Sequence, residues 1–403
     1  MNPRLEALEP YPFERLARLH AGVRPPDTLS PILLSIGEPK HPTPDLVIDA
    51  LKAELQNLNR YPSTRGTADL RASVAAWLTR RFHLPEDALD PERHILPCSG
   101  TREALFALAQ AVIDPCGNDL ALMPNPFYQI YEGAAILAGA TPYFLNTTRE
   151  TAYLPDFEAV PPSIWNRCKL LYICSPGNPS GSIMPKDMLT RLIELSDLYD
   201  FVIASDECYS EIYQDELAPP PGLLQVAAEN GNLEFRRLVV FHSLSKRSNA
   251  PGLRSGFIAG DADLLEKFLL YRTYHGAALS LPVQSASAAA WRDEHHVIEN
   301  RRLYREKFTK VTEILRGALR FTQPEAGFYL WPEIDGDDEV FSRMLLETTH
   351  VTVLPGRYLS RDAMGHNPGS GHVRMALVAP LEECVEAACR IRDFVTNHYP
   401  IRG

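Results

Sequence analysis

The sequence predicts an α/β fold with a mostly parallel central sheet, together with a smaller α+β domain. Two observations lead to this prediction. Short continuous apolar runs alternate with amphipathic stretches of ten or more residues, which is typical of buried parallel strands separated by helices. Most of the apolar runs also end in small or polar residues, as strands do at the edge of such a sheet where ligands bind.

The predicted elements follow one another in a regular order from residue 44 onward. Residues 1–40 are rich in proline and contain one short amphipathic stretch at residues 13–19. Proline and glycine clusters separate the elements that follow. The strands predicted for the first part of the chain cover residues 94–96, 120–123, 170–174, 201–204, 238–241 and 256–259. The helices predicted there cover residues 44–58, 67–82, 101–113, 127–138, 186–199 and 262–273.

The last hundred residues predict a second, smaller unit. A long charged helix over residues 296–318 precedes predicted strands at 327–331, 351–354 and 373–378 and helices at 338–347 and 381–396. The proline-rich N-terminal arm needs a surface on which to pack. We therefore expect a large domain of residues 44–290 and a small domain that combines residues 1–43 with residues 291–403.

Length, charge and cysteine content exclude several classes of protein. A chain of 403 residues suggests two or three domains and buries enough surface to need no disulfide or metal for its core. The net charge of −11, without a basic run, argues against binding to nucleic acid or an anionic membrane. Neither a signal peptide nor an apolar run of 18 residues is visible. Seven cysteines without a Cys-x-x-Cys motif favour reduced thiols in the cytoplasm and no metal site.

One polar cluster lies between a predicted strand and a predicted helix. Ser99, Gly100 and Thr101 are small residues at a helix N-terminus, where exposed backbone N–H groups and the helix dipole favour a phosphate. An ordinary capped helix start explains the same residues equally well.

Asp206 and Tyr209 follow the strand predicted at residues 201–204. An acid at the end of a buried strand is costly unless it is paired. Asp206 therefore either forms a structural ion pair or holds a cationic group of a cofactor, with Tyr209 close by.

Lys246 lies in a loop with Ser243, Ser245 and Arg254 after another strand. A lysine held among apolar and cationic neighbours has a lowered pKa and can form a Schiff base with a carbonyl. The alternative is a solvated loop lysine. The two hydroxyls and the arginine nearby, which suit a phosphate, favour the functional interpretation.

Arg374 lies within a strand-like apolar run. A guanidinium at such a position can clamp a carboxylate through two hydrogen bonds, although a buried structural ion pair is the alternative.

These residues, in this order and spacing, resemble the fold type I pyridoxal-phosphate enzymes and, more narrowly, the class I/II aminotransferases. The resemblance covers roughly residues 30–395. Segments 35–44, 124–133 and 241–249 are most similar to the proteobacterial N-succinyldiaminopimelate aminotransferases within that family. The matched segments are Ile-Gly-Glu-Pro at 36–39, Arg-Tyr-Pro at 60–62, Ser-Pro-Gly-Asn-Pro-Ser-Gly at 175–181, Ser-Leu-Ser-Lys at 243–246 and Ala-Gly-Phe-Tyr-Leu-Trp at 326–331.

The resemblance implies pyridoxal 5′-phosphate as cofactor and a role for each matched residue. Lys246 is expected to bind the cofactor covalently and then to act as general base. Asp206 is expected to pair with the ring nitrogen, Tyr209 and Asn178 with the ring oxygen, and Tyr128 to stack on the ring. The residues expected to hold the phosphate are Ser99, Gly100, Thr101, Ser243, Ser245 and Arg254.

The resemblance also implies partners and substrates. Tyr61 is expected to reach the phosphate of a second subunit, which implies a homodimer. Arg374, with Gly37 and Asn178, is expected to bind the substrate α-carboxylate. Glutamate is the implied amino donor, and N-succinyl-2-amino-6-oxopimelate is the implied acceptor in lysine biosynthesis. We expect at least one of three further cations to bind the distal carboxylate: Lys40, Arg65 or Arg272.

The sequence leaves three other functions open. The first is an aminotransferase for another amino acid, such as aspartate, an aromatic amino acid or acetylornithine. The second is a pyridoxal-phosphate lyase of the same fold. The third is a regulator that keeps the fold of an aminotransferase. The acidic chain has no room for an added DNA-binding domain, which argues against the regulator.

Overall fold

The computed structural model describes residues 1–399, and their helices and strands alternate as an α/β fold requires. The strands are β1 (Ile32–Leu33), β2 (Ile95–Cys98), β3 (Leu120–Asn125), β4 (Thr141–Asn146), β5 (Cys168–Cys174), β6 (Val202–Asp206), β7 (Leu238–Ser243), β8 (Gly256–Gly260), β9 (Tyr329–Leu330), β10 (Val351–Thr352), β11 (Leu354–Pro355) and β12 (Val373–Ala376). The α-helices are α1 (Pro12–Leu19), α2 (Asp45–Ala53), α3 (Ala68–Phe82), α4 (Thr101–Val112), α5 (Ile130–Ala138), α6 (Pro162–Trp165), α7 (Lys186–Tyr199), α8 (Leu223–Glu229), α9 (Leu244–Arg247), α10 (Ala262–His275), α11 (Leu281–Arg292), α12 (His295–Leu315), α13 (Asp338–Thr349) and α14 (Leu381–His398).

A seven-stranded sheet in the order β2-β8-β7-β6-β5-β3-β4 forms the centre of the protein. Strand β8 runs antiparallel to β2 and β7, and all other neighbours are parallel. Strands β3 and β7 are buried at every position because helices cover both faces. The predicted fold class, an α/β fold with a mostly parallel sheet, is confirmed.

The structure differs from the predicted elements at several places. The elements that were not predicted are strands β1 and β4 and helices α6, α8, α9 and α11. The helix predicted over residues 44–58 ends at Ala53, and Lys246 lies in the short helix α9 rather than in a loop. Helix α5 begins at Ile130 rather than at residue 127, because the backbone N–H of Phe127 is bonded to the distant carbonyl of Leu359. The predicted strand at 351–354 is divided, since Val351 pairs with β1 and Leu354 with β12.

A second apolar core joins both ends of the chain. Strand β1 pairs in parallel with β10, and Ile32 and Leu34 pack with Phe308, Leu345 and other buried residues between 308 and 399. This cluster agrees with a small domain assembled from two separate segments. The division into residues 44–290 and residues 1–43 with 291–403 remains our proposal.

No helix within residues 1–399 combines the length and apolar character needed to cross a bilayer. The same described residues contain no group of three or more His, Cys, Asp or Glu side chains suited to a metal ion.

Candidate active site

A cavity of about 610 Å³ lies at the carboxyl ends of β5, β6 and β7. The last residues of these strands, Cys174, Asp206 and Ser243, all line it. Adjacent parallel strands end at one edge of the sheet, which explains why polar residues far apart in the sequence meet here. The predicted site residues that line the cavity are Gly37, Thr101, Tyr128, Asn178, Asp206, Tyr209, Ser243, Ser245, Lys246, Arg254 and Arg374.

Lys246 presents its amine to the cavity from the short helix α9. The side chain of Ser243 caps this helix by accepting a hydrogen bond from the backbone N–H of Ser245 at 3.1 Å. The Lys246 Nζ donates to the carbonyl of Gly37 at 2.6 Å and lies 5.2 Å from the ring centre of Phe328. Burial lowers the pKa of Lys246 to about 8, so a useful fraction of the amine is neutral and nucleophilic near neutral pH.

Asp206 is 5% exposed and has only neutral hydrogen-bond donors. Its Oδ2 accepts from the hydroxyl of Tyr131 at 2.7 Å, and its Oδ1 accepts from the backbone N–H of Cys208 at 3.3 Å. Burial raises the pKa of Asp206, because no cation among residues 1–399 forms an ion pair with it. A carboxylate held in this way suits a cationic ring nitrogen.

Tyr131 is a site residue that the sequence analysis missed. It is fully buried, and its ring stacks on Tyr172 with centres 4.7 Å apart. Its only sequence signal is the spacing of three residues from Tyr128. Tyr131 lies in the first turn of α5, Tyr128 lies just before that helix, and both line the cavity.

Arg374 lies in β12, lines the cavity and keeps one guanidinium N–H without a partner. Its Nη2 donates to the carbonyl of Ser35 at 2.9 Å and its Nη1 donates to Asn178 Oδ1 at 3.0 Å. Its Nε is buried without a partner, and the described part of the chain places no carboxylate against it. The structure therefore does not support the alternative of a structural ion pair, and the free Nε points to an anionic ligand.

Arg254, Thr101, Ser243 and Ser245 line one end of the cavity and fit a phosphate. Helix α4 begins at Thr101, so its positive end faces the same region. Gly100 does not line the cavity, but its φ of 83° strains any residue with a side chain, and a Cβ there would displace the Arg254 guanidinium. The amine, the buried acid and this cradle are the three features that pyridoxal phosphate requires.

Three contacts of tyrosine side chains complete the described walls. The hydroxyls of Tyr209 and Tyr329 are 3.2 Å apart, and the Arg374 guanidinium lies 4.4 Å from the Tyr329 ring centre. The Nε of Arg102 donates to the hydroxyl of Tyr128 at 2.7 Å. Arg102 was not predicted as a site residue, because an exposed arginine after a helix start carries no distinctive signal.

Several predicted residues lie outside the cavity. Ser99 donates its backbone N–H to Glu103 and does not line the cavity. Tyr61 also lies outside it, with a fully exposed side chain. The role predicted for Tyr61 in a second subunit stays a prediction.

Of the three cations among which at least one is expected to bind the distal carboxylate, Arg272 is engaged elsewhere. Arg272 is 0% exposed, and its guanidinium donates to both carboxylate oxygens of Glu103 at 3.1 Å and to the carbonyl of Pro97 at 2.7 Å. Its Nη2 also donates to the carbonyl of Ala277 at 3.1 Å, so four of its five N–H groups are paired. Arg272 is fully buried and does not line the cavity, and it forms a structural ion pair with Glu103.

Arg65 and Lys40, the other two candidates for binding the distal carboxylate, differ in their position relative to the main cavity. Arg65 donates to the carbonyl of Glu92 at 2.7 Å and lines a separate cavity of about 180 Å³, so it lies away from the site of its own chain. Lys40 is exposed and pairs with Glu38 at 3.0 Å, and Glu38 lines the main cavity.

Comparison with known proteins agrees with this geometry. The family described as aminotransferase class I and II matches residues 30–391. The chain is 33% identical to an LL-diaminopimelate aminotransferase of Desulforudis audaxviator over 396 residues, covering 96% of each chain. An aminotransferase structure from Neisseria meningitidis has a TM-score of 0.93 and 50% identity over 98% of this chain and 100% of its own. A probable N-succinyldiaminopimelate aminotransferase from Thermus thermophilus has a TM-score of 0.84 and 28% identity, covering 95% of this chain and 99% of its own.

Proposed function

Because the chain belongs to the class I and II aminotransferases, which depend on pyridoxal phosphate, we propose that it moves an amino group between glutamate and a diaminopimelate-type substrate. The observation that carries this proposal is the convergence of the Lys246 amine, the Asp206 carboxyl and the Arg374 guanidinium on one cavity. None of the three has an oppositely charged ion-pair partner within the described residues, so each is available to a ligand.

Pyridoxal phosphate, when bound, supplies an aldehyde for covalent attachment of an amine and a ring that withdraws electrons from the carbon bearing that amine. Asp206 is the residue that would hold a proton on the ring nitrogen. Tyr209 and Asn178 would donate to the ring oxygen, and Tyr128 would cover one face of the ring. Arg254, Thr101, Ser243 and Ser245 would bind the phosphate, with Gly100 allowing Arg254 to approach.

Lys246 moves the proton in this proposal. Its Nζ, with a pKa near 8, would accept the α-proton of the amino donor. In the second half of the reaction it would deliver a proton to the acceptor carbon that gains the amino group. The carbonyl of Gly37 orients the amine. Arg374 would bind the α-carboxylate through its guanidinium, whose Nε has no partner among the described residues, and so place the α-proton within reach of Lys246.

Arg102 is our candidate for the distal carboxylate of the substrate. Four cations line the cavity as far as the chain is described, and they are Arg102, Lys246, Arg254 and Arg374. The phosphate, the cofactor aldehyde and the α-carboxylate occupy three of them in the proposed arrangement. Arg102 remains, held toward the cavity by Tyr128.

The substrate we propose first is N-succinyl-2-amino-6-oxopimelate, which would become N-succinyl-L,L-2,6-diaminopimelate. The similarity of the sequence segments described above and the Thermus relative support it. The name of the Desulforudis relative supports a second candidate, LL-diaminopimelate itself with 2-oxoglutarate as acceptor. Both are reactions of diaminopimelate and lysine biosynthesis.

A substrate panel with purified holoenzyme tests the proposal. It compares glutamate plus the succinylated acceptor, LL-diaminopimelate plus 2-oxoglutarate, and glutamate with the keto acids of aspartate, the aromatic amino acids and acetylornithine. We expect the succinylated acceptor to have the largest kcat/KM. A tenfold preference for LL-diaminopimelate would favour the second candidate, and release of ammonia without amino transfer would identify a lyase.

The Arg102→Met variant tests the distal contact, with Lys40→Met as the comparison. Loss of a contact to a charged group predicts a fall of about tenfold in kcat/KM for the succinylated acceptor and no change for glutamate. Equal losses for both substrates would exclude Arg102 as a residue that reads the distal end. A selective loss in Lys40→Met would move that role to Lys40.

A homodimer is part of the proposal. Exposed apolar side chains at Leu55, Leu58, Tyr61, Leu270 and Tyr274 are available for contacts with a second subunit. Light scattering of the purified protein tests the dimer. Mixing a Tyr61→Ala variant with a Lys246→Ala variant then tests whether Tyr61 acts across it, because only mixed dimers would contain one intact site.

A further inference from the structure

A buried lysine outside the cavity has no role in the proposed mechanism. Lys307 lies in α12 and is 2% exposed. Its Nζ contacts His41 Nε2 at 2.7 Å and donates to the carbonyl of Val378 at 3.3 Å, while no carboxylate within residues 1–399 forms an ion pair with it. Burial lowers the pKa of Lys307 to about 8. A buried ammonium without an opposite charge destabilises a fold, so stability does not explain its presence.

The hydrogen bonds beyond His41 have a fixed direction. His41 Nδ1 lies 2.8 Å from Asn300 Oδ1, which can only accept. His41 therefore donates through Nδ1 and accepts from Lys307 through Nε2. Asn300 Nδ2 in turn donates to the carbonyls of Lys246 and Arg247 at 3.4 Å each. The chain of donors starts at Lys307 and ends on the backbone of the helix that carries the reactive amine.

The same series of hydrogen bonds also includes the segment that carries the Gly37 carbonyl. His41 lies four residues after Gly37, whose carbonyl accepts from Lys246 Nζ. Thr43 donates to the carbonyl of Asn249, and Asn249 donates to Asn300 Oδ1 at 3.0 Å. The backbone of Lys246 and the carbonyl that orients its amine are thus tied to one polar cluster.

We propose that Lys307, His41 and Asn300 are positioning residues that lock residues 37–41 against α9 and so hold the Lys246 amine at the Gly37 carbonyl. They touch neither cofactor nor substrate. This inference rests on the proposed role of Lys246. Its distinguishing consequence is that breaking the chain slows the chemistry of Lys246 more than it weakens the fold.

The test follows cofactor uptake by cofactor-free protein, measured as the absorbance change after addition of pyridoxal phosphate at pH 7. Lys307→Met keeps the volume of the side chain and removes the buried charge. Loss of one hydrogen bond predicts an uptake rate about fivefold lower. The melting temperature of the cofactor-free protein is expected to stay within about 3 °C of the unchanged protein. Lys310→Met, at an exposed position of the same helix, is expected to change neither quantity.

Two substitutions of His41 separate positioning from packing. His41→Gln can still accept from Lys307 and donate to Asn300, so we expect an uptake rate within twofold of the unchanged protein. His41→Leu removes both bonds and is expected to match Lys307→Met. Equal rates for His41→Leu and His41→Gln would overturn the proposal, even if Lys307→Met fails to fold.

Lys246→Ala distinguishes failure of this inference from failure of the proposed function. Normal absorbance in Lys246→Ala would reject Lys246 as the reactive amine. Loss of absorbance in Lys246→Ala together with unchanged rates in Lys307→Met and His41→Leu would reject only the positioning chain.

Discussion

The protein buries charge in two different ways. Arg272 and Glu103 form a closed pair in which two guanidinium nitrogens meet both carboxylate oxygens. Asp206, Lys246 and Arg374 have only neutral hydrogen-bond partners among the described residues. In the Arg272–Glu103 pair, the protein itself supplies both charges. The charges of Asp206, Lys246 and Arg374 are balanced only when a ligand brings the opposite charges.

The direction of the pKa shifts expresses the same contrast. Burial raises the pKa of Asp206 and lowers that of Lys246, so the cavity pushes both groups toward their neutral forms. Such groups reduce stability until a ligand neutralises them. The comparison therefore predicts that substitutions in the cavity reduce activity and spare stability, whereas substitutions in the closed pair reduce stability.

The largest expected effect is that of Asp206→Asn. Loss of the carboxylate that would hold the ring nitrogen predicts a fall in kcat/KM of about 1000-fold. The melting temperature of the cofactor-free protein is expected to be equal or higher, because an uncompensated buried acid is removed. Steady-state kinetics and thermal melts check both parts. A marked loss of stability would place Asp206 with the structural pairs instead.

The next effect concerns the closed pair. Arg272→Met leaves Glu103 partly buried without its partner, which is expected to lower the free energy of unfolding by about 3 kcal/mol. Urea unfolding measures this, with Lys267→Met at an exposed position of the same helix as control. Equal stabilities for the two variants would show that the pair is not structural.

A smaller effect is expected from pH. Because only the neutral amine reacts, a Lys246 pKa near 8 predicts that cofactor uptake by cofactor-free protein rises about tenfold from pH 7 to pH 9 and then levels off. An amine with its ordinary pKa would instead give a rate that is still rising steeply at pH 9. Stopped-flow absorbance across this range distinguishes the two profiles.

The smallest effect is that of Tyr131→Phe. It removes a hydrogen bond to Asp206 and is expected to lower kcat/KM about fivefold. Tyr172→Phe is the matched control, since its buried hydroxyl donates to the carbonyl of Leu105 and not to a cavity residue. Similar losses in both variants would mean that packing, rather than the bond to Asp206, explains the result.

The parts of this account that the sequence could predict are those governed by local patterns. Continuous apolar runs indicated a parallel sheet, and polar residues at the strand ends had to meet because neighbouring parallel strands end together. Asp206 and Ser243 are examples, since each ends a strand that was recognisable from its sequence. The divided strand at 351–354 was not predictable, because its two halves pair with segments far away in the chain.

Sequence patterns could not predict which polar side chains are buried or which partners they bind. Arg272 and Arg374 both lie in amphipathic or apolar segments of the sequence. In the structure Arg272 is paired with Glu103, whereas Arg374 has no carboxylate partner among the described residues. The contact between Tyr131 and Asp206 joins positions 75 residues apart, and that between Lys307 and His41 joins positions 266 apart. Such pairings follow from the folded backbone and not from local residue types.

The proposed mechanism depends on attachment of pyridoxal phosphate to the Lys246 amine. Reduction of the holoenzyme with borohydride, followed by proteolysis and mass spectrometry, tests this attachment. We expect a phosphopyridoxyl group on the peptide that contains Lys246 and on no other peptide. Attachment to another lysine such as Lys40 or Lys307, or no attachment at all, would contradict it.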